Sequence, residues 1–316
     1  SDFENAPSIG KFNERGAERR NFVRAGLVAG LARQETLGQN PFKLGIVGGT
    51  DSHNGLMADV DEDGWGGGHG GEDANPALRQ TGEVGGWIAA REQSPGSITG
   101  VWASSNTRRE IWDAIYRRET FATSGPRMQV RLFAGWEMDA AILADAGWVK
   151  RAYERGVPMG GDLKPAAKGG TNRAAPRLVI MASKDALGAN LDRIQVVKGW
   201  IGANGKQHDK VFDAVWAGDR SPGTDGKLPP VGNTVDLKTA TYRNTICTAQ
   251  LSVVWEDPEF DPALPALYYA RVIQIPTPRW TTFDAVRAGL PLLENVAATI
   301  QERAWTSPVW YRPEGE

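Results

Sequence analysis

Cysteine and histidine, the side chains that most often bind transition metals, are scarce: 316 residues hold one Cys and three His. With Cys247 alone, an intramolecular disulfide and a thiolate metal cluster are both excluded. Its setting, NTICTAQLSVVW, reads as a strand with Cys247 as a small filler, and lacks the Pro and Arg that follow the cysteine of formylglycine sulfatases. Charge is nearly balanced, at -2, which removes the electrostatic case for nucleic acid or an anionic membrane as partner. No run approaches the roughly 18 apolar residues of a spanning helix, and the N-terminus lacks a signal peptide. The opening SDFENAPSIGKFNERG is polar and irregular and reads as the interior of a longer protein. No phosphate-binding glycine loop, nucleophile elbow or dinucleotide fingerprint occurs.

What remains is an ordinary globular composition, 41% hydrophobic and 23% charged, with 12 Trp and 38 Gly favouring strands, tight turns and flat apolar surfaces. The most informative stretch is FKLGIVGGTDSHNG, residues 42 to 55. Its apolar run, Phe42 to Val47, lies between Pro41 and Gly48-Gly49 and predicts a fully buried strand. Asp51 and His53 follow, two residues apart, so in extended chain they project to one side from the strand's end. A carboxylate oxygen and a neutral imidazole nitrogen suit Zn, Mn or Fe. The other reading makes Asp51 a turn cap and His53 an ordinary, partly buried histidine.

Before this stretch, residues 17 to 37 predict a helix. Val23, Leu27 and Leu31 form its apolar stripe, with Val28 and Ala32 beside them, and Gly26 and Gly30 permit close packing against a sheet. Gly38 and Pro41 end it. After it, residues 56 to 105 show no periodic element and read as a long loop. Asp59 to Gly64 lacks the spacing of a calcium loop. His69, between glycines, either reaches a metal or an anion or is solvated. A second helix runs from a cap at Asn106 or Thr107 to Glu119, with Glu110 in capping-box position and Ile111, Trp112, Ile115 and Tyr116 as its buried face.

From Phe121 onward, β runs at 128 to 135, 177 to 183, 193 to 201, 210 to 217, 249 to 256 and 266 to 275 alternate with turn residues and predict an antiparallel β-sandwich. The final RAWTSPVWY packs back as a strand or covers an edge. His208 reads as an exposed hairpin tip, and Asp185, Asp192, Asp219 and Asp225 read as turn residues. The boundary falls near residue 125, giving domains 1-125 and 126-316.

Five blocks, NPFKLGIVGGTDSHNGL, RRETFATSGPRMQVRLF, GVPMGGDL, YYARVIQIPTPRW and TIQERAWTSPVWY, together resemble bacterial proteins grouped as domain of unknown function 3604 (DUF3604). These are similar to the PHP metallohydrolase superfamily with a C-terminal β-sandwich. The resemblance implies an α/β plus all-β chain: the last αβ unit of a PHP-type barrel, then the sandwich. It implies divalent metal ions (Zn, Mn or Fe) on Asp51 and His53, and hydrolysis of a small anionic sulfate, phosphonate or phosphate ester by metal-activated water. The chain departs from the family in lacking the N-terminal H-x-H and further His ligands, so either an upstream N-terminal polypeptide completes the barrel or the chain is a fragment that cannot assemble the site; the resemblance favours a periplasmic or secreted location. His69 and Arg127 are then candidate contacts to the substrate's anionic group, Arg127 because a guanidinium suits a planar array of oxygens. Arg127 reads equally as a salt bridge tying sandwich to barrel. A different class of reading makes the chain a non-catalytic Trp-rich binding or structural module, whose rings stack on sugars.

Overall fold

The computed structural model describes residues 22-56, 59-86, 88-166 and 175-313. Five α-helices occur in these residues: α1 (Val23–Leu37), α2 (Pro76–Thr81), α3 (Arg108–Tyr116), α4 (Trp148–Arg155) and α5 (Trp280–Ala288). The strands before the expected boundary are β1 (Glu83–Val84), β2 (Ile88–Ala89), β3 (Ile98–Val101) and β4 (Thr120–Thr123). Those after it are β5 (Gln129–Gly135), β6 (Val157–Pro158), β7 (Asp162–Leu163), β8 (Arg177–Ser183), β9 (Leu191–Ile201) and β10 (Gln207–Trp216), then β11 (Gln250–Glu256), β12 (Ala266–Gln274), β13 (Thr277–Pro278), β14 (Thr299–Ile300), β15 (Arg303–Thr306) and β16 (Val309–Tyr311). The fold is thus mixed α/β with extensive sheet, and the described residues form no closed barrel.

An eight-stranded sheet runs β10-β9-β12-β15-β4-β3, with β16 pairing both β12 and, in parallel, β7. A four-stranded sheet runs β11-β8-β5-β6. The main core gathers Val130, Leu132, Leu178 and Ile180 of the smaller sheet with Ile194, Val196, Tyr268 and Val272 of the larger. Strands β9 and β12 are buried almost throughout because α1 covers their other side. There Leu27, Val28 and Leu31 pack on Val197, Ile201, Leu267 and Trp310. A Cβ at Gly199 would lie 2.5 Å from Val28 Cγ2, so the close approach of helix and sheet depends on a glycine in the strand. The expected helix glycines do something else: Gly30 meets Asn40 and Phe42 of the returning chain, and Gly26 has open space. Val23, placed in the stripe, is exposed; residues 17-21 of the expected helix lie outside those described.

The six β runs after residue 121 all form strands, and RAWTSPVWY supplies β15 and β16. Several expectations are corrected. Phe42 to Val47 is extended but pairs in no ladder, and Phe42, Leu44 and Val47 are exposed. Hydroxyl groups take the place of a partner strand. Ser307 Oγ accepts from Ile46 N at 2.8 Å, Thr120 Oγ1 donates to Ile46 O at 2.8 Å, and Thr99 Oγ1 accepts from Gly48 N at 2.9 Å. The apolar composition that suggested burial therefore faces outward on one side. The same holds for α3. Thr107 caps it as expected, accepting from Glu110 N, but Trp112, Ile115 and Tyr116 are exposed and only Ala114 is buried.

Residues 56 to 105 are not elementless: α2, the β1-β2 hairpin and β3 occur there, each too short for periodicity to register. His208 is no hairpin tip but a member of β10, stacked on Trp200 with ring centroids 5.1 Å apart. Cys247 sits before β11 with φ +63°, half-buried against the main core, and burial pushes its thiol pKa up. The turn at residue 125 lies between β4 and β5, and β3 and β4 on its near side belong to the sheet built by β9, β12 and β15 on its far side.

Candidate metal and anion site

Asp51, His53 and His69 are brought together, although the last is remote in sequence from the first two. Asp51 takes the left-handed conformation, φ +51°, which holds its carboxylate clear of the chain with the side chain 99% exposed. Its Oδ1 lies 3.4 Å from His53 Nε2. The His53 ring stacks on that of His69, centroids 4.8 Å apart and planes at 21°. Backbone and amide bonds tie the two segments together: His53 N donates to Gly68 O at 2.7 Å, and Asn54 Nδ2 donates to Gly67 O.

The loop carrying His69 is fixed from beneath by Asp73, 1% exposed. Its two carboxylate oxygens accept from Gly68 N at 2.7 Å and His69 N at 2.9 Å. Charge-assisted bonds to backbone N–H are the stronger kind. A glycine is required at position 67, where φ is +93° and a Cβ would lie 2.6 Å from Asp73 O. His69 Nδ1, itself buried, is 3.8 Å from Asp73 Oδ2 and makes no hydrogen bond.

Arg79 of α2 then anchors this loop to the C-terminal part of the chain. It donates to Gly66 O at 3.0 Å and Asp73 O at 3.1 Å, and forms a two-bond pair with Asp284 of α5. Nearby, Trp65 meets Trp280 edge-on, centroids 4.5 Å apart, and Glu62 accepts from Trp280 N. The segment entering the site is held by Ser97 N, which donates to Gly49 O at 3.1 Å.

One carboxylate and two imidazoles are donors of the type divalent transition metals prefer. Among the described residues, however, no three His, Cys, Asp or Glu side chains are arranged to enclose an ion. The chain offers an open, partial set. Arg127 lies elsewhere: exposed, it lines a cavity with Asp61 and Asp185, and no described contact links it to Asp51, His53 or His69. Asp73, Arg79 and Asn54 went unread in the sequence. The Asp after GGGHGGE is the signal that was available, since a buried acceptor is what a run of free glycine N–H groups requires.

A family model described as a protein of unknown function (DUF3604) matches residues 1-313. The chain belongs to the DUF3604 family. No curated protein and no solved structure matches it. Within this DUF3604 chain the match spans both the Asp51-His53-His69 group and the two sheets that support it.

Proposed function

We propose that the DUF3604 chain belongs to a metal-dependent hydrolase of small anionic esters, of the sulfate, phosphonate or phosphate type. The observation that carries this is the convergence of Asp51, His53 and His69 on a loop held by a buried carboxylate. The backbone under His69 is fixed by Asp73, and a held backbone is one part of what metal ligands need. Asp51 and His53 would hold a Zn, Mn or Fe ion, with His69 adjoining. When bound, such an ion supplies a hydroxide near neutral pH and polarises the ester oxygen.

The chain's own contributions are distinct. Asp51 presents an anionic oxygen to solvent. His53 lies stacked against the His69 ring. Asp73 and Arg79 hold the backbone of the loop through residues 66, 68, 69 and 73. The remaining ligands come, in this proposal, from the upstream polypeptide that completes a PHP-type barrel. Two outward apolar groups support such a partner: Phe42, Leu44 and Val47 on the extended segment, and Trp112, Ile115 and Tyr116 on α3. For the Trp-rich binding-module reading, Arg131 covers one face of Trp102 at 3.7 Å and His208 one face of Trp200, while Trp112 on α3 is exposed.

The test is metal content by plasma mass spectrometry on this chain and on a form extended upstream, each with and without Asp51→Asn. The expected result is two or more divalent ions in the extended protein, lost on substitution. Retention of no metal by either form, or no effect of the substitution, sinks the proposal.

A further inference from the structure

Asp51 and His53 leave the chain at one turn and His69 at another, so the geometry of the group depends on what joins the two turns. Among the described residues, hydrogen bonds from positions 53 and 54 do so. His53 N donates to Gly68 O at 2.7 Å, and Asn54 Nδ2 donates to Gly67 O. The first is a main-chain bond, open to any residue but proline at position 53; the second depends on a side chain.

The Asn54 amide is engaged at both ends. Its Oδ1 accepts from Leu56 N at 2.8 Å and from the Ser52 hydroxyl, which closes the turn carrying Asp51 and His53. Leu56 N–H can only donate and Gly67 C=O can only accept, so the amide has one permitted orientation. Aspartate at this position would keep the acceptor and lose the donor; alanine would lose both.

The loop on the other side is already held. Arg79 donates to Gly66 O, and Asp73 accepts from Gly68 N and His69 N. Those bonds fix the loop within itself and to α5. Only the bonds from residues 53 and 54 fix it relative to the Asp51 turn. A lone hydrogen bond permits rotation about its axis, whereas a second, between the neighbouring residues on each side, does not.

We propose that Asn54 is a positioning residue of the metal site, setting the placement of the His53 ring on that of His69, centroids 4.8 Å apart, and with it the relation of both imidazoles to Asp51. This role rests on the metal-dependent reading given above. Groups that orient metal ligands through hydrogen bonds change metal affinity by about 10-100-fold when removed.

The experiment uses imidazole proton-carbon NMR of the whole chain at fixed neutral pH, in the parent, Asn54→Ala and Asn54→Asp. The chain has three histidines, and His208, stacked on Trp200, serves as an internal reference for the fold. In the parent, a through-space cross-peak between the His53 and His69 rings is expected. Added manganese(II) chloride should broaden both rings and leave His208 sharp. Both variants should lose the cross-peak with His208 unmoved. In Asn54→Ala, the manganese concentration that half-broadens His53 and His69 should rise about tenfold or more. Asn54→Asp is read by the cross-peak alone, because its added charge attracts manganese by itself. A cross-peak that survives in both variants overturns the role of Asn54, as does His208 moving with the other two rings, which marks a general loss of fold. If manganese broadens neither ring in the parent, the metal reading fails, and with it the metal role of Asn54.

Discussion

Arg79 and Asp284, 205 residues apart, form a two-bond ion pair in which Nε donates to Oδ2 at 2.7 Å and NH2 to Oδ1 at 3.1 Å. Both residues are buried. The pair joins the short helix beside the His69 loop to the helix that follows the central strand β12.

Arg79→Met leaves Asp284 buried without its counter-charge, and Gly66 and Asp73 carbonyls without a donor. Breaking a buried pair from one side typically costs about 3-5 kcal/mol. The expected outcome of denaturant unfolding is a loss of that order, with faster proteolysis between residues 62 and 75 under native conditions. Arg79→Lys, which keeps charge but not the two-pronged geometry, should fall between the two. A stability within about 1 kcal/mol of the parent for Arg79→Met would show that the loop is held by something else.

Lys198 and Asp257 make the same argument in the sheet region. Their charged atoms are 2.6 Å apart and nearly inaccessible, and Tyr268 adds a hydroxyl bond to Asp257 at 2.7 Å. Lys198→Met should cost about 3-5 kcal/mol, whereas pairing it with Asp257→Leu should recover part of that loss. Thermal unfolding of the two single variants and the double variant reads the coupling directly. Strict additivity would contradict it.

The acidic turn gives a pH prediction. Asp61 has its folded pKa raised, chiefly by burial and then by Asp63. Its favourable contribution is therefore present when the carboxyl is protonated and is lost as pH rises through the folded value. Asp61→Asn, which fixes the neutral form, should raise the melting temperature at neutral pH. The difference should shrink on acidification and vanish below the ordinary carboxylate range. A difference that is constant with pH, or of opposite sign, would refute the assignment.

Legibility in the sequence followed the length of the elements. Strands such as β9 and β12, with long buried runs, announced themselves, as did the Thr107 cap. Residues 76 to 101 stayed opaque because α2, β1, β2 and β3 owe their form to tertiary partners such as Asp284 rather than to any repeat. The run 42 to 47 misled for a physical reason: apolarity records what a surface avoids, and here Phe42, Leu44 and Val47 face outward from the described fold. At the site, Asp51 with His53 was visible as spacing and His69 as a histidine among glycines. That they meet was not, because the contact depends on Asp73 drawing in two backbone N–H groups.

The sheet that crosses residue 125 has a consequence for how the protein breathes. Strand β12 is paired on both sides and covered on both faces, so its amides are the last expected to exchange with solvent, after those of the edge strands β10 and β3. The loop holding His69 is sequentially distant from β12, yet through Arg79 it hangs from the helix that β12 leads into. Opening of that loop is therefore expected to be coupled to the most protected ladder rather than to the sheet edge beside it.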